Sequence, residues 1–529
     1  MAVLQKNNYY NIFWGEGSQF ITGLDPLGLK ASSQGIYSLL LPGITNVSNR
    51  IRYYSFYCWL FNYYFENIRD SNPQKQKDFL RKADFILVLL MKSFEPATTN
   101  ITGSLVAEEV IAKNSGDYFD INEHAIQTGG NKTYFANPFG AFGQFYVGPM
   151  KQLQLIKLNK HNQYLCTEDK DVPEVSGEAL GKAFKESVGL EVIKVFISTL
   201  EEGKLHKKDM KSLYEKFSTS AIKPNSEEWK LILKMILQPD DVISSIEGLD
   251  HKSNHRKESI TLLLESYTIQ DRVNYYTLLD GIYSLTLQDG LKNNDTWNLW
   301  FLYTLNDYYQ YAAGAIFYSV LKVLEEKPPM IPLTSFIREI CESSLKIFLA
   351  EGNQKKNDPI EAFVNNESKI ETDLINEIDQ LNRQNKPFDT IARAFKLFFL
   401  LHNSNQAFLT DLKDLTDTFP VLEEGNVLDV LNTIEDYKGD LESFFYDYLL
   451  REIIYRHHYN GIRKMRGNQT SLKFILEEGT ITFIGNFDFS FSSPRLGTVE
   501  DVMEDLKLVK ENQLTSLGKE ILIQLEKKE

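Results

Sequence analysis

Residues 294–324, NDTWNLWFLYTLNDYYQYAAGAIFYSVLKVL, form the longest stretch that reads as one element. The run predicts a long aromatic helix, capped by Asn294 or Asp295 and stopped by Pro328-Pro329. Similar texture surrounds it. GEALGKAFKES, LEVIKVFISTLEEG, SEEWKLILKMIL and ESITLLLESYTIQDRVNYYTLLDGIYSL fill much of 176–289, and another helical block runs from about 387 to 455. Nearer the start, a helix is expected at Ser32–Leu41 with Ser32 or Ser33 as cap. A longer one should begin near Asn46 or Ser48 and run to about Ile68, and a third should cover Lys75–Ser93, with Phe79, Ala83, Ile86, Leu87 and Leu90 on one face. Residues 115–150 differ, being rich in glycine and aromatic residues with little helical period. They read as a loop, with a short hairpin at Gly129-Gly130. The charged stretch near 352–369 reads as a surface loop or linker.

The expected fold class is therefore mainly α, a multidomain helical protein with a small C-terminal α+β module. Four segments are expected: an aromatic-rich helical domain over 1–150, a helical domain over 151–350, a third over 351–450 after the polar linker, and a basic segment plus the C-terminal module over 451–529. The chain has 529 residues and a net charge of −15. A uniformly acidic surface repels phosphate, so any nucleic-acid contact needs a local basic patch. Cys58, Cys166 and Cys341 are far apart and form no CxxC pair, which suits reduced, buried thiols. The N-terminus has no basic stretch followed by an apolar run, and Phe85–Met91 is far short of a membrane span. A cytoplasmic protein with no membrane contact is expected.

One segment inverts the charge. REIIYRHHYNGIRKMRGNQTSLK, residues 451–473, carries Arg451, Arg456, Arg463, Lys464, Arg466 and Lys473 with His457 and His458, against the single acid Glu452, and Tyr455 and Tyr459 interleave. Guanidinium groups fork onto phosphate and tyrosines stack on bases. Arg456, Arg463, Lys464, Arg466 and Lys473 are thus the candidate nucleic-acid-binding residues. The competing reading is a solvated helix face, or a patch that docks on the protein's own acidic parts.

Downstream, a strand pair folded at Glu478-Gly479 precedes a helix capped by Ser492 or Ser493 with Pro494 in its first turn. Leu496, Val499, Met503 and Leu506 share one face of that helix. The order of helix, LKLV (506–509), polar turn, LTSLG (514–518) and final helix resembles the second half of prokaryotic winged-helix domains. The resemblance covers about 35 residues. The helix over 495–507 would be the recognition element, yet Glu500, Asp501, Glu504 and Asp505 make it acidic, which favours protein docking over major-groove reading.

The stretch 23–60 carries LLPGIT, then Arg50-x-Arg52-Tyr53-Tyr54, then an aromatic helix with Trp59. It resembles the start of a bacterial family of unknown function encoded in anti-phage defence neighbourhoods, and SPRLGTVEDVMEDL (493–506) fits that family's ending. The resemblance implies a defence-associated subunit of a multi-protein system and brings no catalytic residues. Arg50 and Arg52 point about 200° apart on a helix and so need different partners. Each either pairs with an internal carboxylate, such as Asp25 or Glu16, or binds an anion; pairing is the preferred reading.

No recognised catalytic pattern is present. Gly177-Glu-Ala-Leu-Gly181-Lys182 has the wrong spacing for a phosphate loop and reads as a helix N-terminus. GxGxxG and GxSxG patterns are missing. His251 and His255 stand at metal-binding spacing but in a cationic run without further ligands, so no metal and no cofactor is expected. The leading function is a non-enzymatic DNA-binding or adaptor subunit of a defence complex. The alternatives are a protein-docking scaffold for a partner ATPase or nuclease without nucleic acid, and a divergent enzyme whose site lies in 127–149.

Overall fold

A computed structural model describes residues 19–20, 25–98, 101, 103–126, 133–171, 174–238, 254–269, 274–350, 370–419, 427–437, 440–465 and 469–527. Helices dominate, and no strand among the described residues exceeds four residues. No described helix is long and apolar enough to cross a membrane. The chain forms two compact units, each discontinuous in sequence: 1–36 with 279–492, and 37–278 with 493–529.

The first unit is organised on the helix Asp295–Glu325. Asn294 caps it, its side chain accepting the Trp297 N–H at 2.8 Å. The helix is apolar on every side, so it is stable only when enclosed. It packs chiefly on the helix Pro387–Asn405, which also meets Leu333–Ala350 and Glu371–Arg383. Gly314 makes one close approach possible: a Cβ there would lie 2.8 Å from the Cβ of Phe489. A three-stranded antiparallel sheet completes the unit, in the order Ile331–Pro332, Thr480–Phe483, Phe474–Glu477. Its hairpin turns on Glu478 and Gly479, both at positive φ, as expected for a two-residue turn matched to strand twist.

The second unit is built around the helix Arg52–Tyr63, which runs on as a π-helix over Tyr64–Ile68. Residues 52–61 are all buried, which the aromatic run requires. Phe56 and Trp59 lie among Phe184, Phe196 and Phe217, the last two stacked at 4.3 Å. The helix Gly177–Val188 packs directly on this element. Ser176 caps it at 3.0 Å, and a Cβ at Gly181 would lie 2.7 Å from the Cys58 carbonyl carbon. Gly181 serves helix packing.

The segment expected as a loop is largely ordered into elements. Tyr118–Asp120 pairs with Lys204–His206, Asp120 caps the short helix Ile121–Ala125, and Phe142–Tyr146 is a π-helix followed by the helix Val147–Gln152. Burial of Phe142 and Tyr146 against Tyr57 overrides the glycine-rich local preference. The Gly129-Gly130 hairpin and the 352–369 linker lie outside the described residues. Ser492 and Ser493 do not cap the next helix. It spans Leu496–Asp505, with Arg495 at the cap position and φ +60°. Ser492 is held elsewhere, by the buried Asp307 carboxylate at 2.9 Å and the Tyr303 hydroxyl at 2.6 Å.

Buried arginines tie the second unit together. Arg52 forks onto Glu228 at 3.0 and 3.1 Å and donates to the Lys216 and Ser218 carbonyls at 2.7 Å. Arg256 donates to the carbonyls of Ile236, Gln238 and Pro42 at 2.6–2.9 Å. Removing one member of a dry ion pair costs about 3–5 kcal/mol, because the other is left uncompensated. Glu228→Ala should therefore lower the urea midpoint, and the unfolding free energy extrapolated from it should fall by an amount in that range. An unchanged midpoint would show that the pair is not desolvated.

Candidate functional site

The basic segment lies on one continuous helical run: Leu441–Asp447, a π-helix over Tyr448–Tyr455, and Arg456–Arg463. Its two faces do different work. The inner face grips the chain at Asp25–Gly28. Arg456 Nε and Asn460 Nδ2 both donate to the Leu27 carbonyl at 2.9 Å, His457 Nδ1 to the Pro26 carbonyl at 3.1 Å, and Lys464 Nζ to the Asp25 carbonyl. Arg456 also pairs with Glu452. The gripped segment is a turn ending on Gly28 at φ +68°, where a Cβ would lie 2.7 Å from Asn460. The Asp25 carboxylate then accepts the Leu29 and Lys30 amides and so starts the helix Lys30–Leu40.

His457 is the centre of this grip. Its Nε2 accepts the Lys473 backbone N–H at 2.9 Å, which fixes the proton on Nδ1. The ring lies against Phe317 and Phe474 at 4.7 and 4.9 Å. Burial lowers its pKa from 6.5 to about 4. Lys473 is itself buried, and its ammonium is disfavoured for the same reason.

The outer face carries Arg451, Tyr455, Tyr459, Ile462, Arg463 and Met465, all exposed. Tyr455, Tyr459, Ile462 and Met465 show 49%, 65%, 50% and 44% of their surface, so this is an apolar stripe in water. Arg463 lies over the Tyr459 ring at 5.9 Å.

The candidate phosphate ligands thus separate. Arg456 and Lys464 are spent on backbone carbonyls, Lys473 is enclosed, Arg463 is exposed over the Tyr459 ring, and Arg466 lies outside the described residues. Ile462 and Met465 were not singled out from the sequence, although their spacing from Tyr455 and Tyr459 carries the signal.

Arg50 and Arg52 meet carboxylates, Asp505 at 2.8 Å and Glu228, which are not the ones named from the sequence. Glu16 lies outside the described residues. On the helix Leu496–Asp505, Glu504 is exposed, whereas the other three acids meet partners within the unit. Glu500 accepts the Tyr267 hydroxyl and the Tyr275 amide, Asp501 accepts from Asn49, and Asp505 meets Arg50 and the Ile51 amide. Burial raises Glu500 to about 7 and Asp505 to about 6. A two-residue hairpin, Val509–Lys510 with Gln513–Leu514, follows, and Thr515 caps the last helix, Ser516–Glu526.

The described part of 127–149 is built into the core. Tyr134 and the Ala141 amide donate to the buried Asp84, which also accepts from Tyr57 at 2.7 Å. Among the described residues no group of three histidine, cysteine, aspartate or glutamate side chains is placed to hold a metal. No protein-family model, curated protein or solved structure matches the chain.

The His457 geometry sets a pH test. Its folded pKa lies below the unfolded value, so its contribution is complete above about pH 6.5 and is lost as pH falls towards 4. A shift of this size corresponds to about 3 kcal/mol. The stability advantage of wild type over His457→Asn should shrink by that order between pH 7 and pH 4. A difference independent of pH would mean that the ring is not held neutral.

Proposed function

We propose that this chain is a non-enzymatic docking subunit that contacts a protein partner through the outward stripe Arg451, Tyr455, Tyr459, Ile462, Arg463 and Met465. The observation that carries this is the division of the basic helix. Its inner cations hold the chain's own carbonyls, while its outer face exposes tyrosine, isoleucine, methionine and arginine. Tyrosine, methionine and arginine are enriched in protein interfaces, and tyrosine and arginine among their energetic hot spots. The elements over 496–526, a helix, a hairpin and a helix, have the order of a winged-helix half. With Glu500 and Asp505 facing inward, that module suits a structural or docking role better than groove reading. The assignment to an anti-phage defence complex rests on the resemblance of residues 23–60 and 493–506.

A second reading, contact with DNA, is favoured by the interleaving of Tyr455 and Tyr459 with Arg451 and Arg463 on one exposed face. Salt separates the two, because phosphate contacts release counterions. Tyr455→Ala with Tyr459→Ala should weaken a crosslinked and identified protein partner at least ~10-fold, as loss of a hot spot does. Exposed substitutions of this kind leave the melting temperature nearly unchanged. DNA mobility shifts at low and high salt should show no binding. Binding that falls steeply with salt and disappears in Arg463→Glu would overturn the protein reading in favour of the nucleic-acid one.

A further inference from the structure

A cavity of about 380 Å³ opens in the first unit beside the π-helix Tyr448–Tyr455. That is within the range of small-ligand sites. The π-helix is what assembles its wall. Asp447 and Arg456 are nine residues apart, two and a half turns of an α-helix, which would set them on opposite sides. With i→i+5 winding the same nine residues make about two turns. Asp447, Glu452 and Arg456 then face one space, together with Tyr448 and Arg451. π-turns occur frequently at functional sites.

The charges in the cavity do not cancel. Glu452 and Arg456 neutralise each other. Arg451 stands 4.0 Å from Asp447, at the limit of an ion pair, with 69% of its side chain exposed. The Asp447 carboxylate also accepts the Tyr437 hydroxyl at 3.0 Å. Asp429, on the facing helix Val427–Ile434, is exposed and has no hydrogen bond or ion pair among the described residues. Three carboxylates against two guanidiniums leave one negative charge among the lining side chains. Tyr309, Tyr437, Phe444 and Tyr448 supply aromatic rings to the wall, with Val430 and Thr433 beside them. Phe444 lies 5.3 Å from Tyr437 and 6.0 Å from Tyr448. Ring faces together with surplus carboxylate are the chemistry that receives an organic cation.

We infer that this cavity recognises a primary ammonium or guanidinium group, borne by a small amine or by a lysine or arginine side chain of a peptide. The head group sits between Asp429 and Asp447, and the alkyl stem lies along Tyr437 and Phe444. An anion is disfavoured, because both arginines already face carboxylates. The inference does not depend on the docking stripe, with which the cavity shares only Arg451.

The test is calorimetric titration of the full chain with n-butylguanidinium, n-butylammonium and the neutral isostere n-butylurea. Saturable binding of the two cations is expected, with the urea at least tenfold weaker. Asp429→Asn, at an exposed site with no ion pair among the described residues, should keep the melting temperature and reduce cation affinity several-fold. Asp429→Asn with Asp447→Asn should abolish it. Capped arginine amide binding more tightly than n-butylguanidinium would support the inference with a peptide as source. Capped arginine binding no more tightly, while the cations still saturate, would support it with a free amine. Equal binding of n-butylurea, or cation binding unchanged in a folded Asp429→Asn, Asp447→Asn variant, would overturn the inference. The docking stripe would be untouched by that result.

Discussion

A guanidinium cannot be left dry and unanswered, and this constraint organises much of the molecule. Arg52, Arg81 and Arg256 are all essentially inaccessible to water. Taking such a charge out of water costs several kcal/mol unless every donor finds an acceptor. Arginine offers five donors in a rigid plane, so one side chain must gather several acceptors at once. Arg52 collects them from 216, 218 and 228, Arg256 from 42, 235, 236 and 238, and Arg81 from the carbonyls of Ala125, Phe135 and Asn137. Each joins pieces of chain remote in sequence, which fits compact units that are discontinuous in sequence.

Local features were legible from the residues. Asn294 caps the long helix, Glu478-Gly479 turns a hairpin, and the polar turn before Thr515 joins two short strands, because each depends on neighbours within a few positions. Features that depend on remote partners were not. Ser492 has the right chemistry for a cap, but Asp307, 185 residues earlier, takes its amide. The carboxylates that meet Arg50 and Arg52 lie 455 and 176 positions away, and no local pattern marks them. The ordered elements within 118–152 were hidden by glycines whose neighbours, Phe142 and Tyr146, are fixed by contacts with Tyr57.

Buried ionisable groups oppose one another across pH. Asp307 in the first unit is raised to about 7 by burial, as is Asp84 in the second. A carboxyl raised in the folded state contributes stability that is complete below its unfolded value and is lost as pH rises through 7. His457 contributes with the opposite slope. Within the first unit Asp307 and His457 therefore compensate, and the pH dependence of unfolding is the balance of the two rather than a sum of like terms.

The basic helix shows why counting charge along a sequence overstates capacity for phosphate. Two series four residues apart run side by side on it, one starting at Tyr455 and the other at Arg456. Tyr455, Tyr459 and Arg463 face out; Arg456, Asn460 and Lys464 face in. One position separates the series, about 100° around the axis. Composition treats them alike, since each carries cations and polar atoms. What distinguishes them is a turn more than 400 residues earlier, where Gly28 brings the Pro26 and Leu27 carbonyls close enough to be gripped. Once that turn has claimed one series, the other is left exposed, and its residues are tyrosine and arginine with Ile462 and Met465 beside them. Two of the cations that marked this segment in an acidic chain, Arg456 and Lys464, are therefore a device for holding the protein's own backbone.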